Sequence, residues 1–280
     1  MKQIKLPIGI SVILCMLLVS VIPSSGEKLP KRCTIQGIPY VEQMKNYCGP
    51  AALAMVLNYW GVKTDQEAIG KKVYDQSLRA TNGADMIIFA RDKGCSAYSW
   101  NSSLDDLKEK LTDGVPVIVL QDSSVTDRSG HYRVVTGYDD NAKVFFIHDP
   151  YEPQTKEMPY DLFQSLWQRH GNWSLLVCSN ERDIYKRQLN DLNPVVHIDL
   201  AYVYYMRGNH EAAERECSMA LEIEPSNFYA QTLYAKSTRA AGKRSNSDTK
   251  DSNARSVDFV GSDELNEPTE PVFAPPPPDL

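Results

Sequence analysis

The sequence has no cysteines paired at zinc-ligand spacing and no glycine-rich phosphate loop ending in Lys-Ser or Lys-Thr, so it indicates neither a zinc module nor an ATPase. It also lacks an excess of positive charge: a net charge of −6 over 280 residues leaves no electrostatic footprint for nucleic acid. Neither Cys15, which follows Leu14, nor Cys33, which follows Arg32, has the small preceding residue of a lipidated cysteine, which argues against lipoprotein processing. What remains is globular in composition, 42% hydrophobic and 24% charged, with room for one or two domains and a sizeable core.

The first segment reads as a targeting signal. Lys2 and Lys5 precede an apolar stretch from Ile8 to Ile22, and the small residues Ser24 and Gly26 fit a cleavage after Gly26. Residues 1–26 are therefore expected to be a signal peptide, and the chain to be secreted or periplasmic/extracytoplasmic. Left uncleaved, residues 6–22 would anchor it, since a bilayer span needs roughly 17–25 residues. Without the signal, Cys33, Cys48, Cys95, Cys178 and Cys217 remain. An odd number in an oxidising compartment implies a free thiol, for which Cys48 is the candidate; Cys33 and Cys178 are a candidate pair.

Thr34 to Val41 reads as an edge strand, limited by Pro39. The run from Gly49 to Tyr59 is apolar almost throughout and stops at Gly61, the pattern of a buried central helix. Thr64-Asp65-Gln66-Glu67 is a capping box for a second helix. Gly83 to Lys93 predicts a third, ended by Gly94, and Ser103 caps a fourth with Leu104, Leu107 and Leu111 on one face. Strand patterns follow at Val115–Gln121, His131–Tyr138, Lys143–Asp149 and Lys156–Tyr160. A short helix over Asp161–Arg169 turns Leu162, Phe163 and Leu166 inward, and Trp173–Cys178 closes the region. Helices followed by an antiparallel sheet make an α+β domain over residues 33–180.

A three-residue turn over Asp139–Asn141 would set Tyr138 against Ala142 and bring His131 opposite Asp149 on one face. His148 would then point to the other face, which weighs against a metal site made of His131, His148 and Asp149. Cys48 at a helix N-terminus is placed for thiolate formation, although a structural cysteine is the plain alternative. With His131 as base, Asp149 to orient it and Gln43 to donate to an oxyanion, the set meets the needs of a thiol nucleophile.

The stretch QMKNYCGPAALAMVLNYWG, followed by GHYRVVTGY and then FFIHDP, resembles the bacteriocin-leader-processing, or double-glycine-leader, branch of the papain-like cysteine peptidases over about residues 36–178. The resemblance implies a papain-like fold, with nucleophile Cys48, base His131, orienting aspartate Asp149 and oxyanion glutamine Gln43. It also implies hydrolysis of a peptide or protein substrate without a metal or organic cofactor. Gln43 stands closer to the cysteine than in many leader peptidases, and the exporter and ATPase often fused to them are absent from this sequence.

Residues 190–243 form a second unit. Leu200, Ala201, Tyr204, Gly208, Ala213, Ala220 and Pro225 resemble a tetratricopeptide repeat, and a second copy starts near Phe228 and fades. Such a module implies protein binding; a helical hairpin cap is an equal alternative. So short an array must pack on the peptidase domain, dimerise or meet a partner. Residues 244–280, acidic and ending in Pro275–Pro278, are expected to be a disordered tail. Two other functions are compatible with the same residues: a thiol-dependent acyl or amide transferase, and an inactive peptide-binding adaptor.

Overall fold

The unbroken apolar run after Cys48 forms α1 (Cys48–Tyr59), and every residue from Gly49 to Leu57 is buried. Burying each of Leu53, Met55, Val56 and Leu57 is worth about 1.5–3 kcal/mol, so this helix is the centre about which the sheet and the other helices assemble. The computed structural model describes residues 28–153 and 155–250. The expected signal segment and residues 251–280 of the expected tail lie outside the described residues; residues 244–250, expected within that disordered tail, are helical instead. Among the described residues no helix is long and apolar enough to cross a membrane.

Helices α2 (Gln66–Val73), α3 (Gly83–Asp92) and α4 (Leu104–Thr112) follow. Gly61 and Gly94, at φ +82 and +80, take the left-handed position just past α1 and α3, where glycine has no Cβ to clash. The cap of α2 is Asp65 rather than Thr64: its carboxylate accepts from the Ala68 N–H at 2.7 Å. Ser103 caps α4 as expected.

The strands are β1 (Arg32–Thr34), the two-residue pair β2 (Tyr74–Asp75) and β3 (Ala80–Thr81), β4 (Cys95–Asn101), β5 (Val117–Asp122), β6 (Gly130–Asp139), β7 (Val144–His148), β8 (Thr155–Pro159) and β9 (Trp173–Ser179). All but β2 and β3 belong to one antiparallel sheet ordered β4-β9-β5-β6-β7-β8, with β1 on β6 beyond the end of β5. This is an α+β architecture. Strand β4 has no counterpart in the sequence expectations. Its residues CSAYSWN mix small and aromatic side chains, and it becomes a strand by pairing with β9, more than 70 residues away. Helix α5 (Tyr160–Trp167) buries Phe163, Leu166 and Trp167, whereas Leu162, expected inward, is exposed.

The β6–β7 register differs from the expected one. Tyr138 faces Phe145 rather than Ala142, because the turn is longer. An odd shift of this kind would move Asp149 to the face opposite His131. A bulge at Thr136, between Val135 and Gly137, takes one residue back, so that Val134 faces His148. Continued one step, the register sets Asp149 against Arg133, two residues from His131 and on its face. Gly137 is required here: a Cβ would lie 2.4 Å from the Cys33 carbonyl oxygen of β1.

The cysteines in the described residues are free. The candidate Cys33–Cys178 pair is not formed; the Cys33 thiol donates to the Leu111 carbonyl at 3.3 Å, and Cys178 is buried in β9.

After the sheet, α6 (Pro194–Met206), α7 (His210–Ile223) and α8 (Phe228–Lys250) pack in succession. Helix α6 lies on α3 and β4.

Candidate active site

Cys48 is the first residue of α1. The approach to it is a turn closed by the Tyr47 N–H on the Met44 carbonyl at 2.9 Å, with Asn46 at φ +63, a left-handed conformation that asparagine tolerates. No side chain caps α1, and its first turn holds no acidic residue. The positive end of the helix is thus left to the sulfur. Burial raises the Cys48 pKa. A hydrogen bond from His131, its positive charge, and the backbone N–H groups of Tyr132 and Gly49 outweigh burial and bring the thiol below its usual value.

His131 and Asp149 are both buried, and His131 Nε2 lies 2.8 Å from Asp149 Oδ1. Nδ1 is then the ring nitrogen left to face the thiol. Burial lowers the His131 pKa, but the bonds to Asp149 and Cys48 raise it overall. Asp149, which burial alone would raise, is held well below the usual carboxylate range by the His131 bond and charge and by the Arg133 guanidinium. Tyr151 stacks on the His131 ring, with centroids 4.7 Å apart and planes 12° apart, and its N–H donates to Asp149 Oδ1 at 3.1 Å.

The structure therefore bonds His131 to Asp149, and the imidazole acts on the Cys48 thiol from beside them. Gln43 is attached differently. Its backbone N–H donates to the Pro150 carbonyl at 2.9 Å, next to Asp149. Its buried side-chain Oε1 has no partner among the described residues. The two ends of a carboxamide are nearly isosteric, so this marks an unused hydrogen-bonding position at Gln43 and not a fixed acceptor.

Besides Tyr151, two residues of the site went unread in the sequence. Arg133 reaches Asp149 Oδ2 with Nε at 2.7 Å and spends its other donors on Gln121 Oε1 and the carbonyls of Asp122 and Ser123. The signal available was the alternation His131-Tyr132-Arg133, which puts a guanidinium on the imidazole's face. Gln66 accepts from the Met44 N–H and donates to the Glu42 carbonyl, both at 2.7 Å, and so clamps the backbone on either side of Gln43. Nothing local in the sequence marks that contact. His148 lies apart, its Nε2 3.1 Å from Thr155 Oγ1. Among the described residues no group of three His, Cys, Asp or Glu is placed to hold a metal ion.

Gly49 leaves no room for a side chain: its Cβ would stand 2.8 Å from Thr81 Cβ and Cγ2. Thr81 cannot easily yield, because it is β-branched and its carbonyl accepts from Tyr132 Oη at 3.2 Å. Gly49→Ala is expected to cost about 1–3 kcal/mol in urea unfolding, the range for overpacking.

The pKa directions set the pH dependence. Asp149 is lowered, so its stabilisation is present above its unfolded value of about 3.9 and is lost as pH falls through the folded one. His131 is raised, so its contribution is complete below about pH 6.5 and is lost as pH rises through its folded value. Cys48 and His131 share a proton and titrate as a pair. Iodoacetamide is therefore expected to label Cys48 already in mildly acidic solution, below the pH at which an ordinary thiol reacts, and ahead of the buried Cys95, Cys178 and Cys217. Labelling of Cys48 only at alkaline pH would contradict this arrangement.

A family model described as the Peptidase_C39 like family matches residues 35–175, half of the chain. Among solved structures, the peptidase domain of Streptococcus ComA, described as a bi-functional ABC transporter involved in a quorum-sensing pathway, is similar at 22% identity and a TM-score of 0.42. It covers 51% of this chain and 100% of that one. A double glycine motif protease from an AMS/PCAT transporter, in complex with the leader peptide, aligns at 21% identity and a TM-score of 0.40, over 52% of this chain and 96% of that one. Xylellain, a cysteine protease from Xylella fastidiosa, aligns at 15% identity and a TM-score of 0.40, over 54% and 87%. No curated protein matches the chain.

Proposed function

Since residues 35–175 make this chain a member of the Peptidase_C39 like family, and so a cysteine-type peptidase, we propose that it hydrolyses peptide bonds with Cys48 as nucleophile, His131 as general base and acid, and Asp149 as the group that orients the imidazole. The observation that carries this reading is the buried His131–Asp149 pair, Nε2 to Oδ1 at 2.8 Å, set against a cysteine that opens an α-helix with no side-chain cap and no acidic residue in its first turn. Cys48 Sγ attacks the carbonyl carbon, and the oxyanion takes hydrogen bonds from the Cys48 N–H and the Gln43 amide. The imidazolium protonates the leaving amine as the C–N bond breaks. Water, deprotonated by His131, then releases the acid from the thioester and restores the thiol. In support of Gln43, its amide has an unused hydrogen-bonding position and its backbone is clamped by Gln66.

The reading extends to an exported enzyme, supported by the Lys2, Lys5 and Gly26 pattern of residues 1–26. It takes α6–α8 as tetratricopeptide-like helices, supported by the spacing of Leu200, Gly208, Ala213 and Pro225, with protein binding as what that likeness implies. Its substrate class is a peptide or protein.

The test is the whole chain on a peptide library, read by mass spectrometry. New termini are expected, and they should vanish once Cys48 is alkylated. Cleavage that survives complete alkylation of Cys48 would overturn the proposal. With a primary amine added, hydrolysed acid should exceed the amine-joined product; the reverse would make the chain a transferase.

A further inference from the structure

Helix α6 meets the sheet through the half-buried carboxylate of Asp199. Asp199 Oδ2 accepts from Ser99 Oγ on β4 at 2.6 Å and from the Trp173 indole N–H on β9 at 2.8 Å. The helix is held at both ends as well. Asn193, its N-cap, donates to the Ser99 carbonyl at 2.7 Å, and Arg207, just past its last turn, pairs with Asp85 of α3 at 2.6 Å.

Trp173 leads from there to the candidate active site. Its ring packs edge-on to Tyr132, with centroids 5.9 Å apart, and against Gly83, where a Cβ would come within 2.4 Å of the indole. Tyr132 follows His131 in β6, and its backbone N–H favours the Cys48 thiolate. Its hydroxyl reaches the Thr81 carbonyl, and Thr81 fills the space over Gly49. An unbroken line of packed and hydrogen-bonded groups therefore runs from Asp199 to both the sulfur and the first turn of its helix.

We propose that Asp199 is a positioning residue of the peptidase site, holding Trp173 and through it Tyr132 and Thr81 against the first turn of α1, so that Cys48 keeps its place beside His131 and α6 is a working part of the enzyme. This rests on Cys48 being the nucleophile. The physical reason is direct: an indole whose N–H is bonded to a carboxylate that a second hydrogen bond, from Ser99, holds in place has one orientation, and the tyrosine packed against it is confined to match.

The test uses the full chain. Asp199→Ala, studied where circular dichroism shows it folded, is expected to move the pH midpoint of Cys48 alkylation upward. It should also lower kcat on the order of ten- to a hundredfold with KM little changed, as misplacement of a reacting group does. Asp199→Asn, which keeps an oxygen for Trp173 and Ser99, should restore most of both. Trp173→Phe, which keeps the ring but removes the indole N–H, should shift the midpoint in the same direction and decides the matter if Asp199→Ala does not fold. A wild-type midpoint and kcat in the folded variants would overturn the proposal, because a merely stabilising residue changes the folded fraction and not the acidity of the thiol. Failure of the nucleophile reading looks different: wild-type cleavage would then survive alkylation of Cys48.

Discussion

Cys48→Ala is expected to leave a folded protein whose peptide cleavage has fallen by as much as about a million-fold in kcat, the scale for losing a nucleophile that acts as part of a unit. Folding should survive, because Cys48 is partly exposed at the first position of α1, where alanine is accommodated. His131→Ala should cost nearly as much, and the double variant little more than either, because thiol and imidazole act on one proton transfer. The measurement is turnover of a cleaved library peptide, with circular dichroism confirming the fold. Equal turnover by wild type and Cys48→Ala would remove the nucleophile assignment altogether.

Arg133→Leu should have the largest effect on stability. Arg133 and Asp149 are each about 5% exposed in their side chains, and the guanidinium serves four acceptors. Taking away one member of a buried pair leaves the other uncompensated, at a cost of about 3–5 kcal/mol. The carbonyls of Asp122 and Ser123 lose their Arg133 donors at the same time, so the loop after β5 should loosen as well. Arg133→Lys retains the charge but cannot span the same acceptors, and should recover only part of the loss. Denaturant unfolding of the three proteins measures this. A loss below 1 kcal/mol for Arg133→Leu would mean that Asp149 finds its partners elsewhere, and the low carboxylate pKa would need another cause. Activity should fall too, since Asp149 would no longer be held by both oxygens while it orients His131.

What could be read directly from the sequence was local. Cys48 at the head of an apolar helix, Ser103 as a cap and glycine after the helix ends depend on neighbours within a few residues, where propensity and hydrogen-bonding chemistry decide. The pairing of His131 with Asp149 was legible only in part. The strand patterns were clear, yet the assumed turn was too short, and the residues share a face because the bulge at Thr136 compensates the longer turn. Side-chain parity along a strand alternates at every residue, so two local irregularities of opposite effect restore the outcome while the register between them is wrong.

The rest belongs to tertiary structure. Strand β4 exists because β9 pairs with it, Gln66 clamps the Gln43 segment from more than 20 residues away, and Arg133 finds Asp149 once the hairpin is closed. Asp199 meets Trp173 only when α6 lies on the sheet. The sequence by itself determined the helices, the thiol and the order of the motifs, because those are set by short-range periodicity and capping. Which side chains surround the thiol was decided by long-range contacts, because hydrogen bonds between distant segments carry no local pattern and come into being only as the core closes.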